Sequence, residues 1–252
     1  MSVSEAFKDH FSAAARQYAT FRPTYPVELA AYLASLPARA DLAWDSGCGS
    51  GQLSGLLAQH FHRVEATDAS AEQLAGAERH PTITYRQARA ETSRLPDSCV
   101  DLAVSAQAAH WYDLNAYYRE VRRVGRNGAV IALVAYGRSI LDDEIAPVIN
   151  HFYDDVAGPF WPPERMIVEA RYRTLPFPFD EITTPEFDMT ADWSLAQLLG
   201  YIDTWSAVRG LEKVHGRGPF EDFGRELATV WGDPARLRRV GWPLTLRAGR
   251  IR

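Results

Sequence analysis

Residues 5 to 20 place Phe7, Phe11, Ala14, Ala15 and Tyr18 at helical spacing on one face, which predicts a first helix. Pro23 and Pro26 end it and open a second helix over Val27 to Leu36. Short apolar runs then alternate with helical stripes. Strands are predicted at Leu42–Asp45, Arg63–Thr67, Ile83–Arg86 and Val100–Val104, with helices at Leu53–His60, after Ser70 and at Tyr117–Val124. Gly128 to Val134 is a continuous apolar run, the pattern of a strand covered on both faces. This alternation predicts an α/β fold, a doubly wound and mostly parallel sheet. After Gly137 the rhythm breaks. Six prolines fall among aromatics between 138 and 180, and this stretch reads as an insertion of helices and loops. Beyond it, Glu186–Thr190 and Pro243–Ile251 read as strands and Leu195–Ser206 as a helix.

Composition narrows the classes only loosely. A chain of 252 residues with 46% hydrophobic content can bury one substantial core, so one domain is expected. The formal net charge of −5 argues against a nucleic-acid partner, which usually requires a basic face. No secretory signal and no apolar run near the ~20 residues of a membrane span stands out, so no membrane partner and a cytoplasmic location are expected. Two cysteines, Cys48 and Cys99, are too few for a disulfide framework.

The chemistry lies in Asp45-Ser46-Gly47-Cys48-Gly49-Ser50-Gly51. Three glycines at alternate positions let the backbone leave a strand sharply and approach a ligand closely. A second acid, Asp68, ends the next predicted strand about 20 residues on, where a doubly wound fold offers a carboxylate to ribose hydroxyls. A dinucleotide loop of the form G-x-G-x-x-G would need glycine at Gln52 or Ser54, which disfavours an NAD-dependent oxidoreductase. No lysine follows the loop, which excludes a phosphate-cradling P-loop. Asp45 is a poor neighbour for a phosphate and a good one for an ammonium. S-adenosylmethionine, with a sulfonium, an α-ammonium and no phosphate, matches these features.

The same residues resemble the D-x-G-C-G-T/S-G signature of class I S-adenosylmethionine-dependent methyltransferases, and the chain resembles the methyltransferase type 11 domain. Phe21-Arg22-Pro23-Thr24-Tyr25-Pro26, Ala106-Gln107-Ala108-Ala109-His110-Trp111 and Thr204-Trp205-Ser206 are similar to the small-molecule branch that includes trans-aconitate-type methyltransferases. The resemblance implies a Rossmann-like methyltransferase fold with a seven-stranded sheet, its last strands forming a hairpin at the edge. It divides the single domain into an N-terminal helical lid (1–38), a cofactor-binding core (39–137), an inserted cap (138–182) and C-terminal helices and edge strands (183–252). The implied activity is methyl transfer from S-adenosylmethionine to a small molecule, at a carboxylate or hydroxyl oxygen, leaving S-adenosylhomocysteine. A non-catalytic protein that only binds these two molecules is the alternative.

Each candidate residue also has a plainer reading. Asp45 anchors the methionyl ammonium or caps nearby amides, with Ser46, Gly47, Cys48 and Gly49 forming the loop. Asp68 and Ala69 meet the ribose, or Asp68 caps the next helix, which Ser70 does equally well. The resemblance places Ala90 and Glu91 along the adenine edge, although Arg89 stands where many relatives have Asp, and Glu91 can be a solvated acid. Gln107 and Ala108 border the cofactor near its sulfonium. His110 takes a proton from the substrate, hydrogen-bonds it, or only starts a helix, with an unperturbed pKa of about 6.5. Trp111 and Trp205, with Trp161 and Trp193, either shape the acceptor pocket or simply pack. Tyr18, Arg22 and Tyr25 fall in the lid, where Arg22 pairs with a carboxylate or lies on the surface. His10, His60, His62, His80, His151 and His215 show no ligand spacing, so no metal is expected.

Overall fold

The computed structural model describes residues 21–252; the helix expected over 5 to 20, and Tyr18 with it, lies outside the described residues. The chain enters α1 (Val27–Ser35), which buries Leu29, Ala30 and Leu33. It continues through β1 (Leu42–Ser46), α2 (Gln52–Leu57), β2 (Arg63–Asp68), α3 (Ala71–Ala75), β3 (Ile83–Gln87), β4 (Val100–Ala106), α4 (Leu114–Val124) and β5 (Gly125–Tyr136). All strands up to this point pair in parallel. The order along the sheet is β3-β2-β1-β4-β5, so the winding reverses between β1 and β4. Open sheets of this kind bind ligands beyond the carboxyl ends of their strands at that reversal.

Burial explains why the apolar run was legible. Along β5, Val130, Ala132, Val134 and Tyr136 join one core, while Ala129, Ile131, Leu133 and Ala135 join the core on the opposite face. With period-two alternation and helices on both sides, every residue of such a strand must be apolar. Leu53 and Leu57 of α2 cover the first face, and Tyr117, Val121 and Val124 of α4 cover the second.

Residues 137–182 contain α5 (Ala146–His151), which runs into a π-type turn at Phe152–Val156, then α6 (Arg165–Glu169) and a short strand β6 (Asp180–Ile182). Next come β7 (Asp188–Trp193), helices α7 (Leu195–Asp203), α8 (Ser206–His215) and α9 (Gly218–Trp231), and β8 (Arg238–Arg250). Two expectations need correction here. The helix expected over 195–206 breaks at Thr204–Trp205, where the Thr204 hydroxyl bonds back to the Tyr201 carbonyl at 2.6 Å. The last strands do pair antiparallel, but three helices separate β7 from β8, so they form no hairpin. β8 lies inside the sheet between β5 and β6, its first half on β7 and its second on β5 and β6, giving the path β3-β2-β1-β4-β5-β8-β6. Pro243 sits where β8 passes from β7 to β5, a changeover that tolerates a residue without an amide hydrogen. No helix among the described residues is long and apolar enough to cross a membrane.

Candidate functional site

The glycine loop leaves β1 at the winding reversal. Gly47, Gly49 and Gly51 all take left-handed backbone angles, with φ of +68°, +56° and +83°. The amides of Gly47 and Cys48 both donate to the Thr67 carbonyl, at 2.7 and 3.0 Å, which ties the loop to the end of β2. Two of these glycines are also packed from behind. A Cβ on Gly47 would lie 2.3 Å from the Tyr112 hydroxyl and 2.5 Å from the Ala108 methyl, and one on Gly51 would lie 2.3 Å from the Tyr85 hydroxyl. A Cβ on Gly49 would meet only Gln73 Oε1, at an ordinary contact distance of 3.7 Å, and Gly49 lines a cavity of about 770 Å³.

This cavity gathers most of the candidate residues. Asp45, Gly47, Cys48, Gly49, Asp68, Ala69, Ala90, Glu91, Gln107, Ala108, His110 and Trp111 all line it. Ser46 does not: its side chain turns away, to the Val104 carbonyl and the Tyr117 hydroxyl, and its carbonyl accepts from Tyr112. Asp68 is not the cap of α3, since the Ser70 hydroxyl accepts from the Gln73 amide. Instead its two oxygens accept from the amides of Gly49 and Ser70, at 2.9 and 2.8 Å, which aims the carboxylate at the loop. Glu91 pairs with Arg89 at 3.4 Å and accepts from the Asp113 amide. Gln107 adopts φ +58° and donates from its amide to the Tyr136 carbonyl at 2.7 Å. A non-glycine held left-handed at a strand end stores strain that the surrounding bonds must offset.

Electrostatics single out Asp45. It is 1% exposed, and Ser54 donates to its Oδ2 at 2.6 Å while Oδ1 has no hydrogen-bond partner among the described residues. Burial pushes its pKa up to about 7, with the Ser54 hydroxyl opposing and the charge of Asp68 adding to the rise. The same burial, with Asp45 and Asp68 nearby, raises the Cys48 thiol and keeps it protonated.

Beside the large cavity lies an annex of about 70 Å³ that shares Gln107, His110, Trp111 and Tyr136 with it. Its other walls bring Arg22, Trp161, Arg165, Tyr201 and Trp205 together from three separate parts of the chain. The break between α7 and α8 presents Trp205 and Ser206 to this space. Trp193 is elsewhere, packed in the core against Tyr201 and Trp242. Arg22 donates to the Tyr136 hydroxyl at 3.3 Å and lies over the Tyr201 ring. Arg165 lies over Trp161 at 4.8 Å and donates from Nε to the Tyr153 hydroxyl and to Glu169. His110 is neutral throughout the ordinary range: burial, then the charge of Arg165, lowers its pKa to about 3, against the opposing pull of Glu164.

Tyr25, expected in the lid, lines the cavity, while Gln73, Tyr112, Arg165 and Tyr172 are site residues that sequence reasoning left without a role or did not name. Only Tyr112 carried a signal, directly following His110-Trp111; Arg165 lies in a proline-rich stretch with no motif. Among the described residues no three His, Cys, Asp or Glu side chains come together as metal ligands.

Residues 44–133, which span the glycine loop and both acids, match the methyltransferase domain family. A candidate methyltransferase of Dictyostelium discoideum is 33% identical over 94% of this chain and 93% of its own length. The chain belongs to the class I S-adenosylmethionine-dependent methyltransferases. A solved candidate type II methyltransferase from Anaeromyxobacter dehalogenans shares the fold at a TM-score of 0.85, with 44% identity over 92% of this chain and 98% of that one. A malonyl-acyl-carrier-protein O-methyltransferase of Pectobacterium atrosepticum is 35% identical over 55% of this chain and 56% of its own length.

The residues of this methyltransferase fit its cofactor. The orphaned Oδ1 of Asp45 is a buried acceptor of the kind an α-ammonium satisfies. A 770 Å³ cavity is ample for a nucleoside with an amino-acid tail.

Proposed function

We propose that this methyltransferase methylates a carboxylate oxygen of a small molecule seated in the annex. What carries the reading is the pair of guanidinium groups, Arg22 and Arg165, converging on a small aromatic-walled space beside the cofactor cavity. Guanidinium groups recognise carboxylates by paired hydrogen bonds, and an aromatic, water-poor wall strengthens that attraction. The O-methyltransferase relative agrees with oxygen as the accepting atom.

When bound, S-adenosylmethionine supplies a methyl carbon on a positively charged sulfur, which departs as a neutral thioether once an oxygen takes the methyl. In this reading Asp45 holds the α-ammonium, Asp68 accepts from the ribose, and Ala90 and Glu91 border the base. A carboxylate acceptor is already ionised near neutral pH, so no residue has to remove its proton. His110, with its basicity suppressed, suits that case better than a hydroxyl acceptor that must be deprotonated. The remaining task is to align the acceptor and exclude water, which Gln107, Trp111, Trp161 and Trp205 perform by shaping the walls.

The test incubates the purified protein with methyl-deuterated S-adenosylmethionine and a panel of aliphatic and aromatic carboxylic acids, phenols and amines. Mass spectrometry should find a base-labile methyl ester. A base-stable ether or methylamine as the main product, or no labelled product from any class, overturns the reading.

A further inference from the structure

We propose that His110 orients the acceptor as a hydrogen-bond donor through Nε2–H, and that Tyr172 locks the ring in that tautomer. The inference rests on the carboxylate reading only for the identity of the oxygen that His110 meets.

The argument begins with Tyr172, 62 residues from His110 in sequence. It is wholly buried, and its hydroxyl lies 2.8 Å from Nδ1 of His110. A phenol has one proton to give. Among the described residues, Nδ1 of His110 is the hydrogen-bond partner found for this hydroxyl, so it is the acceptor available to the phenol proton. Were Nδ1 protonated instead, the buried phenol proton would have no acceptor. Burial also drives the Tyr172 hydroxyl toward its protonated form, so it stays a donor. Nδ1 therefore accepts, and the imidazole proton resides on Nε2.

The backbone around Tyr172 is built to hold it there. Arg171 and Tyr172 both adopt left-handed angles, φ +54° and +56°, without a glycine. Two consecutive strained residues persist only where surrounding contacts over-determine them. Here the Tyr172 amide donates to the Ile167 carbonyl at 3.1 Å, and Arg247 donates from Nη1 to the carbonyls of Tyr172 and Leu175, both at 2.9 Å. Arg247 is itself fixed by Glu181 on β6. This scaffold sets the position of one hydroxyl, whose side-chain partner is His110.

The other end of the ring faces the site. His110 lines both the cofactor cavity and the annex, and among the described residues no hydrogen bond reaches Nε2. Trp111 packs against the ring at 4.9 Å and limits its rotation. The charged groups that face it are Arg165, which opposes a second proton, and Glu164, which favours one; Arg165 prevails. A neutral N–H and the Arg165 guanidinium thus converge on one space, a donor set for an oxyanion.

Two-bond proton–nitrogen correlation spectra of protein labelled with ¹⁵N-histidine test this with S-adenosylhomocysteine present and no acceptor. Loss of one spin system in His110→Gln assigns the residue. The expected result is a neutral Nε2–H ring from about pH 5.5 to 8, and a mixture of tautomers in Tyr172→Phe. A ring protonated on Nδ1, an imidazolium at neutral pH, or a Tyr172→Phe spectrum identical to wild type overturns the proposal. With the panel acid that yields most ester, His110→Leu should lose about ten- to a hundredfold in kcat/KM, the range for one hydrogen bond to a charged oxygen. His110→Gln, which restores an N–H at similar reach, should recover most of that loss. A kcat/KM profile that inflects near pH 6.5 and flattens in His110→Gln marks a general base and also overturns it. Absence of any ester overturns the carboxylate reading and leaves the spectra to decide this one.

Discussion

Replacing Asp45 by Asn should remove both the affinity and the pH dependence of cofactor binding. The wild-type carboxyl has a pKa of about 7 in the protein alone, because burial penalises its charge more than Ser54 stabilises it. Only the ionised form pairs with an ammonium. Binding strength should therefore be full above about pH 8, half lost at pH 7 and about tenfold down at pH 6, since each pH unit below the pKa costs about 1.4 kcal/mol. The sign for folding is opposite. A carboxyl raised from 3.8 to about 7 favours the folded protein at low pH and loses that contribution as pH rises through 7. At pH 8 the cofactor-free protein thus carries an unfavourable charge worth up to roughly 4 kcal/mol, an upper bound from that shift. Asp45→Asn should raise its melting temperature at pH 8 while weakening S-adenosylhomocysteine by a hundredfold or more, as expected for breaking a buried ion pair at about 3–5 kcal/mol. Calorimetric titration at pH 6, 7 and 8 measures both enzymes, with 5′-methylthioadenosine, which lacks the amino-acid tail, as the pH-insensitive control. A wild-type affinity that is flat across this range, or a slope that survives in Asp45→Asn, refutes the reasoning.

Other substitutions separate the remaining parts of the site. Gly47→Ala meets atoms at 2.3 and 2.5 Å at a left-handed position, so it should cost about 2 kcal/mol or more and lower the thermal midpoint by several degrees. Asp68→Ala leaves the Gly49 and Ser70 amides without their acceptor, and equilibrium dialysis should show S-adenosylhomocysteine binding weakened more than about tenfold. Arg165→Met keeps much of the packing on Trp161 but removes the charge. It should raise KM for a carboxylate acceptor about ten- to a hundredfold in steady-state assays, with S-adenosylhomocysteine affinity within about threefold of wild type. Equal losses in both would show that Arg165 serves the fold rather than the acceptor.

The cofactor half of the site was legible in the sequence because its determinants are local. Strand, glycine turn and helix follow one another between Leu42 and Leu57, and the left-handed angles at Gly47, Gly49 and Gly51 leave few other residue types. β5 was legible because a strand buried on both faces has no room for polar positions. The acceptor half was not, because it is assembled by distant pairings. His110 meets Tyr172, and Arg22 meets Tyr136 and Tyr201, through contacts that no periodicity encodes. The left-handed pair Arg171–Tyr172 hides further, since neither residue type announces such a turn. The family resemblance put β8 in an edge hairpin, and its alternating pattern alone does not tell such a strand from one shared between β7, β5 and β6.

Calorimetry of the unmodified protein with S-adenosylhomocysteine and with NADH, side by side at pH 8, tests the central assignment most directly. The orphaned oxygen of Asp45 and the loop-directed carboxylate of Asp68 predict saturable one-to-one binding of S-adenosylhomocysteine and no heat from NADH. No measurable association with S-adenosylhomocysteine, or NADH binding with comparable strength, would contradict it.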